Sequence, residues 1–144
     1  MTKPPLADVP IRSAAELTSR WLTVLDPPIF GARSLWLMWL GADGRALPIV
    51  VPVDDVPPLP DEALTAGLLH IHAGVVADHL GGEGHLALAL CRPGRPHAGQ
   101  DDERWAARLR NAFEELHGTW SLHLAAGGRV SELVTPSIRI WAHD

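Results

Sequence analysis

Between Arg92 and Asp102 the chain reads RPGRPHAGQDD, which brings two arginines, one histidine and two aspartates into one short stretch rich in proline and glycine. A histidine and carboxylates this close can chelate a cation weakly or pass a proton, so His97, Asp101 and Asp102 are candidates for acid-base work. Arg92 and Arg95 offer a second chemistry, since guanidinium groups beside a helix start bind anions. A third outcome needs no ligand. Arg92 and Arg95 face Asp102 and Glu103, which begin the next helix, and an ion pair between them across the mouth of the loop is a mostly structural contact worth about 0 to 1 kcal/mol if exposed. Cys91 ends an apolar run with no histidine at an activating spacing, and reads as a buried structural thiol. His70 and His72 resemble a ligand pair, but residues two apart on a helix point about 200° away from each other. Only His72 and His79 share a face.

These residues need elements to hold them. Residues 1–12 lack a period and carry prolines, which marks a flexible or docked tail ahead of a single domain spanning 13–144. Ser13-Ala14-Ala15-Glu16 is a capping box, so a helix runs from Ala14 to Leu25 before Asp26-Pro27-Pro28 ends it. Ser34 to Leu40, SLWLMWL, is a strand apolar on both faces. A glycine turn follows, and Ala46 to Val53 returns as the second strand of a hairpin. Pro48 and Pro52 cannot donate to a ladder and place that strand at an edge or a bulge. Asp61 and Glu62 open a helix that keeps Leu64, Leu68, His72 and Val75 on one face and stops at Gly81-Gly82. The strand LALAL, Leu86 to Leu90, leads into the loop. Asp102 to Leu116 then forms a helix with Trp105, Leu109 and Phe113 on its core face. Thr119 to Leu124 and Val130 to Val134 make a closing hairpin, and Pro136 to Asp144 is an edge strand or a docked tail. The order α, β-β, α, β, α, β-β defines an α/β (α+β) fold: a three-layer mixed β-sheet with helices on both faces.

That order, with the loop and helix following LALAL and the closing phrase GGRVSEL, resembles the JAB/MPN domain family and its RadC-type bacterial members. The resemblance covers most of residues 14–134 and implies a cytidine-deaminase-like architecture. Metal-dependent members of that family carry an upstream glutamate, then His-x-His-Pro, then an aspartate further along, as the zinc site of a hydrolase. RadC-type relatives write the central part as His-Asn-His-Pro-Ser-Gly. On this chain the two histidines fall on Leu90 and Arg92, the proline on Pro93, the serine on Gly94, and the aspartate on Asp101 or Asp102. The glutamate falls near Ala32 to Leu35, where there is no acid. A zinc site of this kind needs three protein ligands, so the resemblance implies a member without its metal.

Composition narrows the function classes. A net charge of −5 gives no electrostatic footprint for nucleic acid, and the 12 Lys and Arg residues are scattered. No apolar run approaches the roughly 20 residues of a membrane helix. One cysteine excludes an internal disulfide, and Met1 to Ile11 lacks the apolar core of a signal peptide, which together point to the cytoplasm. Six tryptophans without a tyrosine is an unusual choice. Trp36 and Trp39 face opposite sides of one strand, and Trp36, Trp39, Trp120 and Trp141 are the candidates for an interface between copies. The expected function is a non-catalytic, self-associating JAB/MPN-like scaffold, dimeric, without cofactor, metal, nucleic acid or membrane. The alternative is a small hydrolase or an anion- or ligand-binding enzyme that uses Arg92, Arg95, His97, Asp101 and Asp102.

Overall fold

The computed structural model describes residues 9–117 and 119–135. Its elements are α1 (Ala14–Val24), β1 (Ser34–Leu40), β2 (Ala46–Asp54), α2 (Glu62–His79), β3 (His85–Cys91), α3 (Gln100–Ala112), a 3-10 turn (Glu114–Leu116), β4 (Trp120–Ala126) and β5 (Arg129–Val134). The order along the chain is the one expected from the sequence. One mixed sheet runs β2-β1-β3-β4-β5. β1 pairs antiparallel with both β2 and β3, β3 pairs parallel with β4, and β4 pairs antiparallel with β5. The parallel pair requires the crossover that α3 and its preceding loop supply.

Strand alternation divides the core. Leu86, Leu88 and Leu90 of β3 join Leu35, Leu37 and Trp39 of β1 under Leu68 of α2 and Trp105, Leu109 and Phe113 of α3. Ala87, Ala89 and Cys91 face the other way, with Met38, Leu40 and Ala125, beneath Leu17 and Trp21 of α1 and Leu25 at its C-terminal cap. Side-chain volume therefore differs by face: leucines meet two helices, while alanines let the single helix α1 sit close with Trp21 filling the gap. This is the three-layer arrangement with helices on both faces.

Local chemistry accounts for the boundaries. Ser13 Oγ accepts the Glu16 amide at 3.1 Å, and Glu16 reaches back to the Arg12 amide, one residue beyond the box partner expected. Asp61 caps α2 by accepting the Leu64 amide at 2.7 Å. β2 is an edge strand with a register shift opposite Met38 and Leu40, which is how it tolerates Pro48 and Pro52. The third helix starts at Gln100 rather than Asp102, because Asp102 acts from its first turn on the Gly99 amide at 2.8 Å. The compact unit also begins earlier than residue 13. Ile11 is buried and its amide donates to the Gly44 carbonyl at 2.8 Å, while Arg20 holds the Val9 carbonyl at 2.9 Å. The Pro136 to Asp144 segment lies outside the described residues.

Candidate functional site

The loop after β3 is built around one side chain. Arg92 Nε donates to both Asp102 oxygens at 2.9 and 3.1 Å, and Nη2 donates to Asp102 Oδ2 at 2.7 Å. Its remaining protons go to backbone carbonyls: Nη2 to His97 at 3.0 Å, Nη1 to Pro93 at 3.0 Å and to Arg95 at 2.9 Å. All five guanidinium protons are thus placed, and three carbonyls of the loop are pinned to one cation. Gly127, at φ +56, sits so close to Pro96 and the Gly94 carbonyl that a Cβ there would meet Pro96 Cδ at 2.7 Å. The closing hairpin therefore supports the loop from the side.

The ion pair expected across the loop mouth forms between Arg92 and Asp102, and it is buried. The two side chains are 12% and 2% exposed. Burial pushes the Asp102 carboxyl up, yet hydrogen bonds from Arg92 and Gly99 and the charges of Arg92 and Arg33 outweigh it and hold the group below its ordinary value. Hydrogen bonding to Asp102 raises Arg92 in turn. Breaking such a buried pair costs on the order of 3–5 kcal/mol, because the survivor is left charged and unpaired.

The other loop candidates do not converge on it. His97 contributes its carbonyl while its ring is exposed, and Arg95 and Asp101 are exposed as well. No hydrogen bond joins the His97 ring to Asp101 or Asp102 among the described residues, and no cluster of three His, Cys, Asp or Glu side chains there could hold a metal ion. The acid-base candidates His97, Asp101 and Asp102 are thus held apart, with Asp102 sealed in its pair with Arg92 and the other two exposed. Leu90, at the first histidine position of the resembled family, is fully buried among the leucines. Cys91 is buried too, and desolvation pushes its thiol up to about 12, which leaves it without nucleophilic character at neutral pH.

A residue not singled out in the sequence completes the site. Arg33, from the segment before β1, lines a shallow depression of about 340 Å³ with Arg92, Gly99 and Asp102, and its charge acts on Asp102. Its Nη1 is buried without a partner among the described residues. The signal available was position alone: Arg33 lies in the stretch where the resembled family places its glutamate.

Two of the interface candidates are buried within the chain. Trp39 is fully buried beneath α2, its indole N–H donating to His72 Nδ1 at 3.1 Å. Trp120 is 5% exposed and packs edge-on against Phe113, with ring centroids 5.1 Å apart. Both lie on the sheet face that two helices cover. Trp36, on the opposite face, is partly exposed beside the edge strand, opposite Pro52. Trp141 lies outside the described residues.

Three histidines lie inside the fold; His72 takes the face expected of it on α2, whereas nothing in the sequence singled out His85 and His123. His72 is nearly sealed on α2. His85 Nε2 lies 3.0 Å from Ser121 Oγ, and His123 Nε2 lies 2.9 Å from Thr18 Oγ1 of α1, both rings being fully buried. Desolvation, with smaller contributions from His123 and His72, lowers His85 to about 3, and desolvation lowers His123 to about 4. The alternation that puts His85 in the row of Ala87 and Ala89 was readable; the helix that seals this row was not. Comparisons of the chain with protein-family models, with curated proteins and with solved structures gave no match.

Proposed function

We propose that this chain is a JAB/MPN-like module whose catalytic site has been replaced by an internal ion pair, and that it acts through protein contacts as a self-associating scaffold. One observation carries this reading. Arg33, Arg92 and Asp102, which the resemblance would set at or near the family's metal positions, line one depression, and Leu90, at another of those positions, lies in the apolar core. The cation beside Asp102 is a covalently attached guanidinium in place of an ion. With its protons all directed at protein acceptors, Arg92 serves the loop's shape rather than a substrate.

The self-associating surface we assign is the open part of the α1 face. α1 leans toward β5, so Trp36, Val50 and Pro52 are left uncovered at the β1–β2 edge. Trp36 is the natural anchor, since aromatic side chains dominate interface energetics. Prolines in β2 oppose strand-to-strand addition there, which favours face-to-face contact. The cytoplasm suits a chain with one free, buried cysteine and no helix among the described residues long and apolar enough to cross a membrane.

Light scattering on a size-exclusion column tests the contact, with twice the 15.6 kDa chain mass expected at micromolar concentration and the single mass for Trp36→Ser combined with Val50→Asp. A wild-type monomer would sink self-association. Metal analysis tests the vacated site: stoichiometric zinc, lost together with hydrolase activity in His97→Ala, would overturn the non-catalytic reading. The unpaired Arg33 Nη1 favours anion binding as the second reading, although Asp101, Asp102 and Glu103 already supply negative charge to this helix start.

A further inference from the structure

At the end of the sheet opposite the Arg92 loop, a groove of about 540 Å³ opens between α2, the turn into β3 and the 3-10 turn after α3. Ligand sites usually have volumes of roughly 300–1,000 Å³. His72 forms its floor and is only 7% exposed. The Trp39 indole N–H is a donor only, so the His72 Nδ1 that accepts it carries no proton. In the neutral ring, which burial favours, the proton therefore resides on Nε2. With Nδ1 turned to the sealed core, Nε2–H is the edge left for the groove, and it has no acceptor among the described residues.

The walls are short and apolar at Ala73, Val76 and Leu116, while Glu83 and Glu115 stand exposed at the rim. No Lys or Arg lines the groove among the described residues. The floor thus offers one fixed hydrogen-bond donor and the rim offers two negative charges. Carboxylate and phosphate ligands would meet repulsion on entry.

We propose that this groove binds a small organic cation bearing a neutral carbonyl oxygen, with the oxygen on His72 Nε2–H and the cationic end between Glu83 and Glu115. His72 is a recognition donor in this site and not a base, because its lone-pair nitrogen is already occupied by Trp39. The site lies apart from the Arg92 loop and does not depend on the scaffold reading.

The test is a titration of the full-length, 15N-labelled protein with 5-aminopentanamide, followed at the His72 ring nitrogens. Saturable movement of the Nε2 signal is expected, with affinity about fivefold or more above that of pentanamide, which lacks the cation, and of pentylamine, which lacks the carbonyl. The anion 4-carbamoylbutanoate should bind least. Glu83→Gln combined with Glu115→Gln, both at exposed positions, should bring 5-aminopentanamide down to the level of pentanamide while the circular dichroism spectrum stays unchanged. No movement at His72, equal binding of the anion, or indifference to the double substitution would each overturn the site.

Discussion

His85 and His123 make the stability of this fold depend on pH below neutrality. Both rings are kept neutral by burial, at about 3 and about 4, against an ordinary value of 6.5. The unfolded chain therefore takes up protons below pH 6.5 that the folded chain refuses. The stability these groups contribute is present above that value, falls as the pH drops, and is gone once the pH passes below the folded values. Between pH 7 and pH 5 each histidine costs folding about 2 kcal/mol, or about 4 kcal/mol together, at roughly 1.4 kcal/mol per unit. That is a large share of a typical net stability of about 5–15 kcal/mol. Asp102, held below its ordinary value, takes up its proton only under more acidic conditions, while His72, also lowered by burial, adds a contribution of the same sign that the double variant below retains. Urea unfolding followed by tryptophan fluorescence at the two pH values measures the effect. His85→Gln with His123→Gln keeps a polar partner for Ser121 and Thr18 while removing the titration, and should flatten most of the difference. Equal wild-type midpoints at pH 7 and pH 5, or a double variant with undiminished pH dependence, would refute the reasoning.

Asp102→Asn should destabilise the fold by about 3–5 kcal/mol in urea, since Arg92 is left charged and without its carboxylate. Replacing both partners with apolar residues should cost much less, because no charge remains unpaired. Trp39→Phe removes the donor to His72 Nδ1 inside the core and should cost about 1–3 kcal/mol in thermal unfolding. Gly44 has φ +82, and a Cβ there would meet the Ile11 carbonyl at 2.5 Å. Gly44→Ala should release the segment around Ile11, seen as faster amide hydrogen exchange at Ile11 with β3 still protected.

Much of the fold was legible because local rules govern it. The capping box at Ser13 and the acid-led start at Asp61 mark helix beginnings that the structure keeps. Pro48 and Pro52 placed β2 at an edge, since a strand residue without an N–H has few other positions open to it. Trp105, Leu109 and Phe113 fell on the core face at helical spacing. At the loop, an ion pair between its arginines and the acids that open the next helix was readable from charge and proximity. Its depth was not, because burial there also depends on the β4–β5 turn at Gly127 and on Arg33 from far upstream.

Periodicity along a strand determines which residues share a side, and this much the chain settled by itself: Trp36 and Trp39 part company, and His85 joins the alanines. What covers each side was decided only in three dimensions. Two helices close over Trp39 and Trp120, while the β2 edge leaves Trp36 partly open. His123 meets Thr18 across 105 residues of chain, a contact with no local sequence signal. The groove at His72 likewise arises where α2, the turn into β3 and the turn after α3 come together, and spacing within any one of them carries no trace of it.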